Sequence, residues 1–173
     1  MNGKRNVGGM SWLLGLVVCG LAAVAVGQEK AKNLLGATNK PESWRFEQHE
    51  QGKGSMKPDG EAMALTVTEA DGTEWHVQAA RPDVDLKEGK EYSLSFKAKA
   101  DAERSIQVNA MIDQEDWHQV GLSENVDLTK EWKDYEFTFK AEGVAGMKKN
   151  RLTLVLGNEK GTVWVKEMTL VEK

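Results

Sequence analysis

The sequence predicts an all-β fold, an antiparallel sandwich or barrel, and two observations lead to this prediction. Apolar and polar residues alternate with a period of two in seven segments, and no long stretch shows helical periodicity. Turn-forming groups rich in Gly, Pro, Asn and Asp separate these segments. Seven or more short strands at such spacing are typical of sandwiches and barrels.

Each predicted strand places apolar side chains on one face. In chain order, these faces are Met63, Leu65 and Val67; Trp75, Val77 and Ala79; Tyr92, Leu94, Phe96 and Ala98; Ile106, Val108, Ala110 and Ile112; Tyr135, Phe137 and Phe139; Leu152, Leu154 and Leu156; and Val163, Val165 and Leu170. The last strand is expected to be irregular near Glu167. Residues 33–55 predict an ordered but loop-rich start, with Trp44 packed in the core.

The chain begins with the pattern of a secretory signal peptide. Lys4 and Arg5 precede the apolar run MSWLLGLVVCGLAAVAV, and Ala25-Val26-Gly27 fits a cleavage site. Residues 1–27 are therefore predicted to be a signal peptide and residues 28–173 a single secreted domain. An uncleaved anchor and a lipoprotein acylated at Cys19 are the alternatives, but the run is short for a membrane span.

Composition excludes several classes for the predicted mature domain. Without Lys4 and Arg5 it carries 21 basic and 27 acidic residues, a net charge of −6. No basic cluster could follow a phosphate backbone, so a nucleic-acid partner is not expected. Cys19 is the only cysteine, so the mature domain has neither a disulfide nor a cysteine zinc site. It is expected to be a monomer without membrane contact.

Polar side chains share the faces opposite two of the apolar rows. His76 and Gln78 alternate with Val77, and Gln107 and Asn109 alternate with Val108. If the two strands lie in one sheet, these groups form a single polar patch. Polar side chains that project together from a rigid sheet predict one wall of a ligand-binding groove.

Four phrases, in this order, resemble the carbohydrate-binding modules of families four and nine. They are NLLG at 33–36, LKEGKEYSLSFKAKAD at 86–101, LTKEWKDYEFTFKA at 128–141 and LVLGNEKGTVWVKEMTLVE at 154–172. The resemblance implies a galactose-binding-domain-like jelly roll that binds glycan chains without catalysis. It implies that Trp75 and Trp117 stack on sugar rings, and that the polymer is of β-glucan or xylan type.

The sequence departs from the family pattern where the resemblance implies a structural calcium ion. Lys166 stands where relatives often have Asp, and GATNKPES at 36–43 replaces an acidic phrase. Calcium requires several oxygen ligands, so we predict no bound metal and no cofactor.

Enzyme hypotheses find little support in the sequence. His49, His76 and His118 are far apart and lack metal-site spacing, and there is no Gly-x-Ser-x-Gly elbow. Paired carboxylates of a glycosidase are the hardest to exclude, but Asp113, Glu115 and Asp116 lie in a predicted hairpin tip. The preferred hypothesis is a non-enzymatic glycan-binding domain that uses Trp75, His76, Gln78, Gln107, Asn109 and Trp117. The alternatives are an envelope protein-interaction domain that has lost sugar binding, and a small polysaccharide-active enzyme.

Overall fold

The computed structural model describes residues 32–146 and 149–173. The predicted signal peptide and its cleavage site before Gln28 lie outside these residues. The described chain forms ten antiparallel strands. They are β1 Arg45–Gln48, β2 Lys53–Asp59, β3 Ala62–Glu69, β4 Val77–Val84, β5 Glu91–Ala100, β6 Arg104–Ile112, β7 Gln119–Leu128, β8 Lys133–Lys140, β9 Asn150–Val155 and β10 Gly161–Glu172. Two short 3₁₀ turns, Pro41–Ser43 and Glu74–His76, precede β1 and β4.

The strands form two five-stranded sheets. The first sheet has the order β1-β4-β9-β6-β7, and the second has the order β2-β3-β10-β5-β8. All neighbours are antiparallel. The predicted antiparallel β-sandwich is therefore confirmed. None of the helices found in the described residues is long and apolar enough to cross a membrane.

The core lies between the sheets and is built from the predicted apolar rows. Met63, Leu65 and Leu94 of the second sheet and Val108 and Leu154 of the first are completely buried. Alternation with a period of two turns every second side chain of these strands toward the opposite sheet. Their outward-facing neighbours are then free to form surface sites on two opposite faces.

Two local predictions are also confirmed. Trp44 is buried in the core, and its indole nitrogen donates to the Thr38 carbonyl at 2.8 Å. The register of β10 against β5 shifts between Lys166 and Thr169, and Glu167 has a φ of 54°. This bulge restores the apolar face at Leu170 after the alternation breaks.

A second irregularity lies where β7 meets the β6–β7 hairpin. Ala110 pairs with Leu122, but the next residue, Met111, pairs with Gln119. Gly121 sits in the intervening bulge with a φ of +107°, and a Cβ there would lie 2.0 Å from the Lys140 carbonyl oxygen. Only glycine fits this close approach.

We expect Gly121→Ala to lower the free energy of unfolding by about 3 kcal/mol, through strain and backbone contact together. Gly60→Ala is the matched control, because Gly60 also has a positive φ but open space around it. It should cost only about 1 kcal/mol. Urea denaturation measures both. Equal losses of unfolding free energy in the two variants would show that the close approach of Gly121 to Lys140 does not contribute to stability.

Candidate binding groove

A depression of about 560 Å³ opens on the outer face of the first sheet. Outward-facing side chains of β4, β9 and β6 form its floor. The lining residues are Glu47, His49, Glu74, Trp75, Gln78, Gln107, Asn109, Met111, Trp117, Gln119, Arg151 and Val155. On β9 they extend from Arg151 to Val155, so the floor is about 13 Å long in the strand direction.

The predicted polar patch exists because β9 lies between β4 and β6. Gln78 of β4 and Gln107 of β6 both pair with Val155, which places the two amides on either side of one apolar side chain. Asn109 lies one step further along the same face, opposite Thr153. The strands that carry the amides, β4 and β6, are two strand spacings apart, about 10 Å.

Hydrogen bonds order part of this amide row. Asn109 Nδ2 donates to Gln107 Oε1 at 2.9 Å, and Gln119 Nε2 donates to Asn109 Oδ1 at 3.5 Å. The Gln78 amide lines the groove and has no side-chain partner among the described residues. Gln78 and Asn109 are 5% and 4% exposed, so these amides would reach a ligand only from the floor of the groove.

Trp75 lies at the β4 end of the groove and is 49% exposed. It belongs to the Glu74–His76 turn, not to the strand, so the predicted alternation starts only at Val77. The turn is anchored to the chain after β9, since Gly157 N donates to the Glu74 carbonyl at 2.7 Å. In the sequence, Trp75 falls on the same face as Val77, which suggested that it packs in the core. Its exposure excludes this alternative.

Trp117 lies at the other end, in the β6–β7 hairpin, and is 47% exposed. Asp116 and Trp117 have φ values of 86° and 47°, so two consecutive non-glycine residues adopt positive φ. The Arg151 guanidinium carbon lies 4.7 Å from the centre of the Trp117 ring. The backbone turn and this cation–π contact together hold the indole at the groove.

Comparisons with known proteins agree with this architecture. A family profile described as a carbohydrate binding domain, which combines module families four and nine, matches residues 37–161. The chain belongs to this family. A comparison with curated proteins gives no match.

Solved structures of such modules are similar to this one. A CBM4 structure is 24% identical over 78% of this chain and 90% of its own, with a TM-score of 0.68. The two N-terminal cellulose-binding domains of Cellulomonas fimi β-1,4-glucanase C are 18% and 20% identical, with TM-scores of 0.62 and 0.64. They match over 82% and 84% of this chain, and over 98% and 97% of their own. At these identities the likeness supports the fold alone.

One predicted site residue of the carbohydrate-binding module is not in the groove. His76 is 8% exposed, and its Nδ1 lies 2.6 Å from Asp71 Oδ2. Its ring meets the Trp75 ring edge-on, with 4.2 Å between centroids. The predicted role of His76 as a sugar hydrogen-bonding group is therefore corrected: it lies in the 3₁₀ turn, where strand alternation does not apply, and it supports Trp75. The hydrogen bond from His76 lowers the pKa of Asp71.

The module's groove also contains charged residues that the strand patterns did not single out. Arg151 is 4% exposed, and its Nη1 donates to Glu47 Oε1 at 3.0 Å and Oε2 at 3.1 Å. Asp113 lies 3.6 Å from the same nitrogen and is bound by Arg45. The alternation of Leu152 and Leu154 already implied that Arg151, Thr153 and Val155 face outward. Glu47 and His49 had no such signal, because β1 is only four residues long.

His118 clamps the hairpin that carries Trp117. Its Nδ1 lies 2.8 Å from Asp116 Oδ2, and its Nε2 lies 2.7 Å from the Gly143 carbonyl oxygen. Both partners are acceptors, so both ring nitrogens are satisfied as donors only in the imidazolium form. The Gly143 carbonyl, followed by Asp116, raises the pKa of His118.

We expect His118 to titrate above the ordinary histidine pKa of about 6.5. Because the folded-state pKa is raised, the stabilisation from the two His118 hydrogen bonds is fully present below about pH 6.5. It is lost as the pH rises through the folded-state pKa. NMR titration of the imidazole measures this, and Asp116→Asn should lower the pKa. A His118 pKa at or below about 6.5 would contradict the clamp.

The metal-free state stays a prediction. The described residues contain no group of three or more His, Cys, Asp or Glu side chains that could hold a metal ion. Lys166, the residue that motivated the prediction, points its ammonium at the Trp132 ring, 4.7 Å from the centroid.

Proposed function

We propose that the module binds a single neutral glycan chain along the groove of the first sheet. The observation that carries this proposal is the arrangement of two half-exposed tryptophans at opposite ends of a row of amides. Indole faces match the apolar C–H faces of sugar rings, and amides match their paired hydroxyls. Gln78, Gln107 and Asn109 lie between Trp75 and Trp117, where the hydroxyls of a chain spanning both rings would be.

The energetics support weak binding. One ring stacked on indole removes about 100 Å² of apolar surface from water, which contributes roughly 2–3 kcal/mol. Two stacks and a few neutral hydrogen bonds must offset the entropy lost on association. A Kd between about 10 μM and 1 mM follows. Such affinity suits a long polymer with many repeated sites.

Charge favours a neutral glycan over an acidic one. Glu47 and Glu74 line the groove. The Arg151 charge is opposed by Glu47 and Asp113, so it offers little free positive charge to a uronate. Cellulose-binding domains are among the structural relatives. We therefore propose a β-glucan or xylan as the polymer.

We also propose that the protein is not an enzyme. Domains of this family are generally non-catalytic. Of the two groove carboxylates, Glu47 accepts hydrogen bonds from Arg151 and Arg45, which leaves Glu74 without a free partner for two-carboxylate hydrolysis. Incubation with each polymer and an assay for new reducing ends tests this, and any release that Glu74→Gln abolishes would overturn it.

We further propose that residues 1–27 direct export of the domain, because a neutral polymer of this kind occurs outside the cytoplasm. The support is the basic, apolar and small-residue pattern of the N-terminus. Mass spectrometry of protein recovered from a secreting host should give the mass of residues 28–173 as a monomer. Recovery of the full-length chain in membranes would indicate an anchor instead.

Affinity electrophoresis of residues 28–173 through gels containing β-glucan, xylan, mannan, laminarin or alginate tests glycan binding. We expect retardation by a neutral polymer, and its loss in Trp117→Ala. Trp132→Ala is the matched control, because Trp132 is also exposed but lies away from the groove. Absence of retardation by every polymer would favour a protein-interaction domain.

A further inference from the structure

The groove leaves one exposed tryptophan unexplained. Among the described residues, Trp75, Trp117 and Trp132 are the large hydrophobic side chains with exposed surface. The first two line the groove. Trp132, which precedes β8, is 36% exposed and contacts residues on the outer face of the second sheet.

Two lysines lie over two tryptophans on this outer face. Lys99 of β5 pairs with Trp164 of β10, and its ammonium lies 5.1 Å from the Trp164 ring centre and 5.3 Å from that of Trp132. Lys166 lies 4.7 Å from the Trp132 centre. We call Trp132, Trp164, Lys99 and Lys166 the tryptophan–lysine face. It lies on the opposite side of the sandwich from the groove.

The indole Nε1 of Trp164 donates to Asp59 Oδ2 at 2.9 Å, which fixes the ring. Cation–π contacts fix the lysines in turn. The face is thus ordered before any ligand arrives, which reduces the entropy cost of binding.

Positive charge on this face is incompletely neutralised. Among the described residues, no carboxylate lies within 4.0 Å of the Lys99 ammonium, and Lys166 reaches only Glu167, at 3.8 Å. Lys97, a neighbour on the same sheet, shows the contrasting arrangement: it pairs with Glu167 at 2.9 Å and Asp134 at 3.9 Å. In a chain with an excess of acidic residues, the tryptophan–lysine face is a local site of available cations.

We propose that the tryptophan–lysine face is a second binding site, for an acidic polysaccharide that carries carboxylate or sulfate groups. Such a chain presents an apolar C–H face and an anionic group on each sugar. The exposed Trp132 surface would contact the former, and Lys99 and Lys166 would bind the latter. The proposal is independent of the neutral-glycan groove, whose charge disfavours the same ligand.

An acidic glycan fits this face better than an anionic membrane does. Insertion into a bilayer needs several protruding apolar side chains, but only Trp132 is exposed here and Trp164 is tied to Asp59. Asp59, Asp134 and Glu167 border the lysines and would be repelled by a continuous anionic surface. A flexible chain can place its charges between them.

Affinity electrophoresis through gels containing polygalacturonate or alginate tests the proposal. We expect retardation at low ionic strength that disappears at about 1 M salt, where the Debye length is about 3 Å. Two variants test the face: the double variant Lys99→Gln/Lys166→Gln and the single variant Trp132→Ala. Each should weaken binding at least about tenfold, the loss expected when a charged contact or an indole contact is removed. Lys40→Gln with Lys53→Gln is the charge-matched control, since both of these lysines are exposed elsewhere.

The outcomes separate this site from the groove. Acidic-glycan binding that survives Trp117→Ala but not the face variants supports the proposal. Binding that is lost in Trp117→Ala alone, no binding to either acidic polymer, or face-dependent binding to phosphatidylglycerol vesicles in place of the polymers would each overturn it. Retardation by neutral polymers reports separately on the groove. Circular dichroism confirms that each variant is folded.

Discussion

Trp117→Ala is expected to weaken neutral-glycan binding by roughly 30- to 140-fold and to leave the fold intact. The loss of one sugar stack corresponds to about 2–3 kcal/mol, and each 1.4 kcal/mol is about tenfold in Kd. The indole is about half exposed, so little core packing is lost with it. Isothermal titration calorimetry with the polymer that retards the wild-type domain measures the change.

Two comparisons make this expectation specific. Trp117→Phe keeps an aromatic face and should lose less affinity than Trp117→Ala. Trp75→Ala should give a loss of similar size, because Trp75 is equally exposed at the other end of the groove. If Trp117→Ala binds as tightly as the wild type, the hairpin end of the groove takes no part in binding.

Arg151→Met is expected to lower both stability and affinity. The guanidinium is buried and binds Glu47, and its removal leaves the carboxylates of Glu47 and Asp113 with Arg45 as their cationic partner. Breaking a buried ion pair costs about 3–5 kcal/mol; since Arg45 compensates in part, we expect about 2–3 kcal/mol in the free energy of unfolding. The Trp117 ring also loses its cation–π support, which should weaken glycan binding about tenfold.

A double-mutant cycle with Glu47→Gln separates these contributions. If Arg151 acts through Glu47, the two changes should couple by more than about 1 kcal/mol in urea unfolding. Arg151→Lys should rescue only part of the loss, since an ammonium lacks the planar guanidinium that lies against the Trp117 ring. Additive effects and unchanged glycan affinity would show that the ion pair neither supports the sheet nor holds Trp117.

The parts of the fold that were predictable are those where alternation determines burial. Every predicted strand is present, and the phase of Ile106–Ile112 correctly placed Gln107 and Asn109 on the groove side. β2 was missed because Gly54 and Pro58 interrupt its pattern; an edge strand tolerates both. β7 was missed because Glu124 interrupts the apolar row of Val120, Leu122, Val126 and Leu128.

From the strand pattern alone, the lining of the candidate groove was predictable only where it lies on regular strands. The period of two predicted the positions of Gln78, Gln107 and Asn109. The family resemblance predicted that Trp75 and Trp117 belong to the groove. The prediction that His76 faces the groove was wrong because a 3₁₀ turn replaces the first residues of the expected strand. The positive φ values that present Trp117, and the ion pair of Arg151 with Glu47 across two separate strands, depend on tertiary contacts that no local pattern encodes.

The most direct test of the groove is a proton–nitrogen correlation spectrum of the indole groups during titration with soluble cello-, xylo-, manno- and laminari-oligosaccharides. Each tryptophan gives one indole signal, and alanine variants assign them. The proposed groove predicts that the binding oligosaccharide shifts the signals of Trp75 and Trp117 and leaves those of Trp132 and Trp164 unchanged. Shifts confined to Trp132 and Trp164, or no shift with any of these sugars, would contradict it.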